Sequence, residues 1–196
     1  MTLTLEQMYE MQKELDAKII REKGLEGKDL LPNTVLALQV EICELANEWR
    51  GFKHWSNDQA PRYENKSIAF ANPGGPFEHT SYPLIEEYVD CLHFFLSIAR
   101  QLDLPADDLY VAEDSLDYET TVVFTELLHV VGLIMGDEFL INTPKNIMEY
   151  RRDHLRGALY IFYGLGEQRL GFTFEQIADA YAAKNKINHK RQANGY

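Results

Sequence analysis

Two stretches place carboxylates where an apolar helix face is expected. The first is Val40-Glu41-Ile42-Cys43-Glu44-Leu45-Ala46-Asn47-Glu48-Trp49, and the second is Glu86-Glu87-Tyr88-Val89-Asp90-Cys91-Leu92-His93-Phe94. At about 100° per residue, Glu41, Glu44 and Glu48 fall within about 60° of one another beside Leu38 and Leu45, while Glu87 and Asp90 flank Cys91, Phe94 and Ile98. Acids so placed repel one another by roughly 0.2–0.5 kcal/mol per i,i+3 or i,i+4 pair in an isolated helix, and they lose solvation beside a core unless a cation replaces the water. Mg²⁺ or Mn²⁺ suits the task, because these hard ions take carboxylate oxygens and share their remaining positions with substrate phosphates. A single ExxE reads as a charged stripe bordering a core. Two acidic sites on separate helices, both against apolar residues, point to a metal centre.

A second kind of chemistry sits near the C-terminus. Lys184, Asn188 and Arg191 lie at i, i+4 and i+7 on one helix face and offer cationic and amide donors suited to phosphate oxygens. Alone, the same residues read as a basic last turn that complements the helix dipole. Glu126-Leu127-Leu128-His129 is an ExxH, and His93 follows Asp90 by three, so a di-iron carboxylate bundle is the alternative of another class. That architecture needs two ExxH elements; with one, His129 reads as a core or interface histidine. There is no nucleophile elbow, GxxxxGK[ST] or GxGxxG, so metal, Lys and Arg must hold any phosphate.

Helical periodicity supplies the elements that must position these groups. Thr4 and Gln7 form a capping box for a helix running from Leu5 to a terminating Gly24. Asn33 is expected to cap a second helix over Thr34 to Arg50, closed by Gly51, which carries the first acidic site. Periodicity fails from Phe52 to Tyr82, a long loop with turn chemistry at Asn72-Pro73-Gly74-Gly75-Pro76. Pro83 opens a third helix to Leu102 with the second acidic site, and Asp107-Asp108 and Glu113-Asp114 mark a solvated connection. A broad apolar face predicts a fourth helix over Leu116 to Phe139. Thr143-Pro144 starts a fifth, to Tyr163, closed by Gly164 and Gly166. Thr173 and Gln176 cap a sixth, Glu175 to Ala193. No alternating segment competes, so the fold class is all-α: a bundle of about six helices in one domain spanning residues 1–196, with 56–82 as a long loop or insertion.

Composition narrows the function. The formal net charge of −12, from 31 acidic and 19 basic residues, argues against stable nucleic-acid binding and against an anionic membrane surface. Cys43 and Cys91 lack CxxC spacing and read as small core residues of a cytoplasmic protein. No run of about 18 apolar residues and no signal-like N-terminus is present.

The combination of Glu41 and Glu44 as ExxE with Glu87 and Asp90 as ExxD resembles the all-α nucleoside triphosphate pyrophosphohydrolase superfamily. Leu31-Pro32-Asn33, Asn47-Glu48-Trp49-Arg50-Gly51-Phe52-Lys53, Glu86 to Phe94, and the terminal Lys184-Asn185, Asn188, Arg191-Gln192 and Gly195-Tyr196 are similar to its dimeric dUTPase branch, over about Met8 to Tyr196. The resemblance implies hydrolysis of dUTP, and of dUDP, to dUMP by a Mg²⁺-activated water on a helical homodimer with two or more ions per site, limiting uracil incorporation into DNA. Another (deoxy)nucleoside triphosphate is the alternative substrate. It further implies Glu41, Glu44, Glu87 and Asp90 as metal ligands, with Glu41, Glu44 and Glu48 in catalysis. Gln12 and Trp55 would contact the base, and Lys184, Asn188, Arg191 and Lys53 the phosphates. The gap from Glu44 to Glu87 is longer than the superfamily's usual one.

Overall fold

The computed structural model describes residues 2–70, 74–110, 115–136 and 144–194. Asn72-Pro73, Glu113-Asp114, the Thr143 cap, residues 137–139 of the expected fourth helix and Gly195-Tyr196 lie outside the described residues. Six helices form: α1 (Leu5–Lys23), α2 (Leu31–Trp49), α3 (Pro83–Gln101), α4 (Thr120–Leu133), α5 (Pro144–Gly164) and α6 (Phe174–Ala193). Both capping boxes are present, Thr4 with Gln7 and Thr173 with Gln176, and Gly24 ends α1 in the left-handed region at φ 61°.

α3 is the central helix. Eleven of its nineteen residues are buried, so it is apolar on nearly every side and must be surrounded. α2 packs along it, α1, α5 and α6 cover its other faces, and α4 lies against α2 and α5. On α2 the stripe Leu38, Ile42 and Leu45 is fully buried, each side chain contributing about 1.5–3 kcal/mol of burial free energy. Buried residues from all six helices form one continuous core.

Several boundaries differ from the sequence expectation, each for a local reason. α2 starts at Leu31 rather than Thr34: Pro32 sits in the first turn, where no amide donor is needed, and Asp29 Oδ1 accepts from Leu31 N at 3.1 Å. Asn33 is therefore inside the helix. The α2 terminus is Arg50, in the left-handed region at φ 66°, and Gly51 serves close packing instead, since a Cβ there would lie 2.4 Å from the Trp49 ring. The region expected as loop contains an antiparallel hairpin, β1 (Asn65–Phe70) with β2 (Pro76–Ser81), pairing Ile68 with Glu78 and Phe70 with Pro76. Nearly all of it is exposed, so no buried face imposed an apolar alternation that could be read.

α4 begins at Thr120, with Leu116 packed under Gly164 instead, and ends at Leu133 before Gly136 at φ 72°. The chain does not stop at Tyr163: α5 runs through Gly164 into a π-turn, Leu165–Arg169, and Gly171 at φ 72° makes the break. Gly166 is there because a Cβ would stand 2.3 Å from the Tyr88 hydroxyl oxygen. Two side-chain expectations also change. Cys43 is exposed, one residue past the buried Ile42, whereas Cys91 is in the core; His129 is exposed on the outer face of α4.

Candidate active site

The packing of α2 on α3 decides where the acids go. Because Leu38, Ile42 and Leu45 bury the centre of the α2 face, Glu41, Glu44 and Glu48 line its edge, and the corresponding edge of α3 carries Glu87 and Asp90. One carboxylate oxygen each from Glu41, Glu44 and Glu87 lies within 4.8 Å of the others; Glu41 and Glu87 are partly buried and Glu44 is exposed. At 4.8 Å and an effective dielectric of about 20, two full charges repel by about 3.5 kcal/mol, and by more when closer.

The titration of the group reflects this. Burial, then the charges of Asp90, Glu44 and Glu87, push Glu41 from 4.5 up to about 7, against the pull of Lys184. Burial and Asp90 likewise push Glu87 up to about 7, with Glu44 and Glu48 adding to it and Lys184 opposing. Burial also raises Asp90, although Lys184 donates a hydrogen bond to its carboxylate and Arg191 adds positive charge from further off. Lys184 and Asp90 are only 17% and 15% exposed, so α6 delivers its lysine into the groove between α2 and α3.

At the far end of the α2 edge, Glu48 is 16% exposed; Arg62 Nη1 stands 3.6 Å from its Oε1, and its buried Oε2 has no hydrogen-bond partner. The turn after α2 is held by Arg50, whose guanidinium meets the Asp58 carbonyl at 2.7 Å and carboxylate at 3.1 Å. Within that turn Lys53 is hydrogen-bonded to Asn47, and Trp55 is 67% exposed, edge-on to Phe52 and His54.

Gln12 lies in a separate, buried network. Its amide nitrogen donates to Asp16 at 2.8 Å and Ser97 at 3.1 Å, and its Oε1 receives the Tyr181 hydroxyl at 3.1 Å and His93 Nδ1 at 2.6 Å. An accepting oxygen opposite Nδ1 assigns the proton to Nδ1, so Nε2 is an acceptor; it is buried and without a partner. Burial, with the charge of Lys184 adding to it, lowers His93 from 6.5 to about 3, and the ring, stacked on Tyr181 at 4.1 Å, is neutral.

The structure thus brings Glu41, Glu44, Glu87, Asp90, Lys184 and, at the margin, Glu48 together. Arg191 acts on Asp90 through its charge, Asn188 is half-buried on the same α6 face, and Gln12 and Trp55 stand in their own surroundings. Sequence reasoning missed Arg62, because the non-periodic stretch that carries it gives no spacing to read. It saw His93 only as an iron ligand.

A divalent cation fits these residues. The donors are hard carboxylate oxygens, their mutual distance is close to the roughly 4 Å spanned by ligands across an ion with bonds of about 2.1 Å, and their raised protonation shows that positive charge is wanted. The carboxylate group contains no histidine, and the ExxH of α4 ends on the exposed His129, so the di-iron alternative finds no ligand set among the described residues.

The fold and site are thus an all-α body with acids gathered between two helices and a lysine supplied by a third. A family model described as dUTPase matches residues 4–70 and 77–196; the chain belongs to this all-α dUTPase family and is a dUTP diphosphatase. No curated protein matches it. The match breaks after Phe70, the last residue of β1, and resumes at Phe77 in β2.

Proposed function

We propose that this single-domain enzyme hydrolyses dUTP, and dUDP, to dUMP with Mg²⁺ as its natural ion, Mn²⁺ substituting, and two or more ions per site. The observation that carries the reading is the trio of carboxylate oxygens within 4.8 Å of one another, where burial and mutual repulsion push Glu41 and Glu87 up to about 7. Glu41, Glu44, Glu87 and Asp90 would hold the ions, with Glu48, whose buried Oε2 lacks a partner, beside them. When bound, such ions lower the pKa of a water and neutralise phosphate oxygens.

The chain's own residues do the rest. Glu41 or Glu44 takes the proton of the attacking water, whose oxygen bonds to phosphorus as pyrophosphate leaves from dUTP, or phosphate from dUDP. Lys184 supplies charge to the phosphates at the Asp90 end, Arg191 a bidentate fork and Asn188 an amide, with Lys53 joining from the turn after α2. Trp55 offers an apolar wall for the base. Gln12, with its amide held by Asp16, Ser97, Tyr181 and His93, would supply the amide hydrogen bonds that select uracil over cytosine.

Assembly as a homodimer is part of the proposal. Leu36 and Val40, one turn apart on α2, and Val122 on α4 are 62%, 48% and 48% exposed and give a second copy an apolar surface to cover. Much of the α4 apolar face expected to serve this purpose is instead consumed inside the subunit, through Val123, Phe124, Leu127 and Val131. A cytoplasmic location and no stable nucleic-acid binding accompany this reading, the latter supported by the net charge of −12. None of the described helices is long and apolar enough to cross a membrane.

The test is a phosphate- and pyrophosphate-release panel across dUTP, dUDP, dCTP, dTTP and UTP with Mg²⁺, Mn²⁺ or chelator. Activity confined to uracil deoxynucleotides and abolished by chelator is expected. Equal turnover of another triphosphate would shift the assignment to a pyrophosphohydrolase of different specificity, and full activity in chelator would remove the metal.

A further inference from the structure

Four lysines and arginines lie between α2 and α3, and among these described residues Arg62 alone pairs with an acid of the site; Lys66 pairs with Glu64 at 3.1 Å. Arg50 is buried against Asp58, and Lys53 is turned onto Asn47. Arg62 instead faces Glu48, and its placement is fixed by the backbone. Its N–H donates to the Glu48 carbonyl at 3.0 Å, and its own carbonyl accepts from Leu84 N at 3.1 Å. Glu48 is the next-to-last residue of α2 and Leu84 the second of α3, so each offers a group that the helix itself cannot pair. Residue 62 satisfies both at once, and it is thereby pinned at the junction of the two acid-bearing helices.

The side chain is less committed than the backbone. At 3.6 Å the guanidinium and Glu48 Oε1 form an ion pair without a hydrogen bond, and the arginine side chain is 47% exposed. Glu48 also lies about 10 Å along the helix from Glu41, at 1.5 Å rise per residue. Lys184 stands with Asp90, whose charge acts most strongly on Glu41, and Arg62 stands with Glu48, so positive groups bracket the carboxylate row at both ends. A polyphosphate laid along that row needs cationic donors at each end, and the planar fork of an arginine matches two phosphate oxygens at once.

We propose that Arg62 is a substrate-binding residue of this site, contacting phosphate oxygens of the nucleotide at the Glu48 end of the row. The proposal rests on the reading of the carboxylates as the metal and nucleotide site. It names a further residue from the stretch between the two acidic motifs, where the resemblance assigned only Lys53 and Trp55. Glu48 holds the guanidinium in position until substrate arrives; the phosphates then take up its unused N–H groups.

The test measures binding and turnover in R62A and R62Q, with E44Q as a control for the parent reading. The probes are a dUTP analogue bridged by an imido group between the α and β phosphorus atoms, and deoxyuridine, both with Mg²⁺ and followed by calorimetry. Wild type should bind the analogue and E44Q should not; failure of wild type to bind it overturns the parent reading. In R62A, affinity for the analogue should fall tenfold or more and kcat/KM for dUTP thirtyfold or more, while deoxyuridine binding stays within twofold. Analogue affinity within twofold of wild type overturns the proposal, and so does an equal loss for deoxyuridine, which would mark a collapsed site. If R62A does not fold, the same criteria apply to R62Q, which keeps the backbone caps and a neutral side chain of similar reach.

Discussion

Acidification should unpick the buried His93 network before it protonates most surface carboxylates. In the fold, burial and Lys184 hold His93 near 3, against 6.5 in the open chain. The unfolded chain therefore binds the extra proton between those values, and by linkage stability falls as pH drops through 6.5 toward 3; above 6.5 the group costs nothing. At 1.36 kcal/mol per unit the full loss is about 4–5 kcal/mol, of which about 2 kcal/mol is already present at pH 5. For a chain of this length that corresponds to about 4–8 °C in Tm. Glu41, Glu87 and Asp16 titrate upward of their usual range and act in the opposite sense, so the wild-type curve alone mixes the effects. H93N separates them, because its amide nitrogen replaces Nδ1–H toward Gln12 without a proton to gain. Denaturant unfolding of both proteins at pH 8, 6.5 and 5 should show the difference narrowing, relative to pH 8, by about 0.4 kcal/mol at pH 6.5 and by about 2 kcal/mol at pH 5. Parallel curves throughout would refute a neutral, buried His93.

Other outcomes follow from the same contacts. E44Q and D90N should abolish Mg²⁺-dependent hydrolysis while circular dichroism stays helical, with chelated E44Q melting at or above wild type because a repulsion is relieved; wild-type turnover in either would remove that residue from the site. R191A should lower kcat/KM for dUTP by a factor of about 10² or more, with R191K restoring little, since a lysine lacks the fork; normal kinetics with a slightly lowered melting point would leave Arg191 a dipole-compensating residue. Light scattering at micromolar concentration should give about twice the 22.7 kDa chain mass, and a value near 22.7 kDa would dismiss the dimer. G166A should destabilise by about 1–3 kcal/mol, because a methyl group 2.3 Å from the Tyr88 oxygen forces the π-turn after α5 away from α3; an unchanged Tm would show that the contact relaxes freely.

What the sequence displayed best was periodic and local. Leu38, Ile42 and Leu45 recur at helical spacing, and the acids interrupt that pattern, so both the helices and the carboxylate row could be read. Thr4 with Gln7 and Thr173 with Gln176 were legible because a capping box is completed within four residues. What depended on distant partners was not. Gly166 looked like a stop signal, but its role is defined by Tyr88, many residues earlier in the chain. Arg62 gains its place only once α2 and α3 lie side by side and leave two backbone groups for it to satisfy. Cys43 was misplaced because hydropathy alone does not say which face a neighbour will cover, and the hairpin was missed because strands without a buried face carry no alternation to read.

The burial of α3 has a consequence for how the site can move. Glu87 and Asp90 are carried by the helix with the most complete cover in the molecule, flanked by Tyr88, Val89 and Cys91 at 1%, 1% and 0% exposure. Amide hydrogens of this segment can exchange only when the whole core opens, so their protection should equal that of global unfolding. The hairpin and the Trp55 turn are exposed, and should exchange far faster. Isotope exchange would then separate a rigid α3, which carries Glu87 and Asp90, from a yielding hairpin and Trp55 turn; substrate can reshape the turn but not the helix that holds these acids.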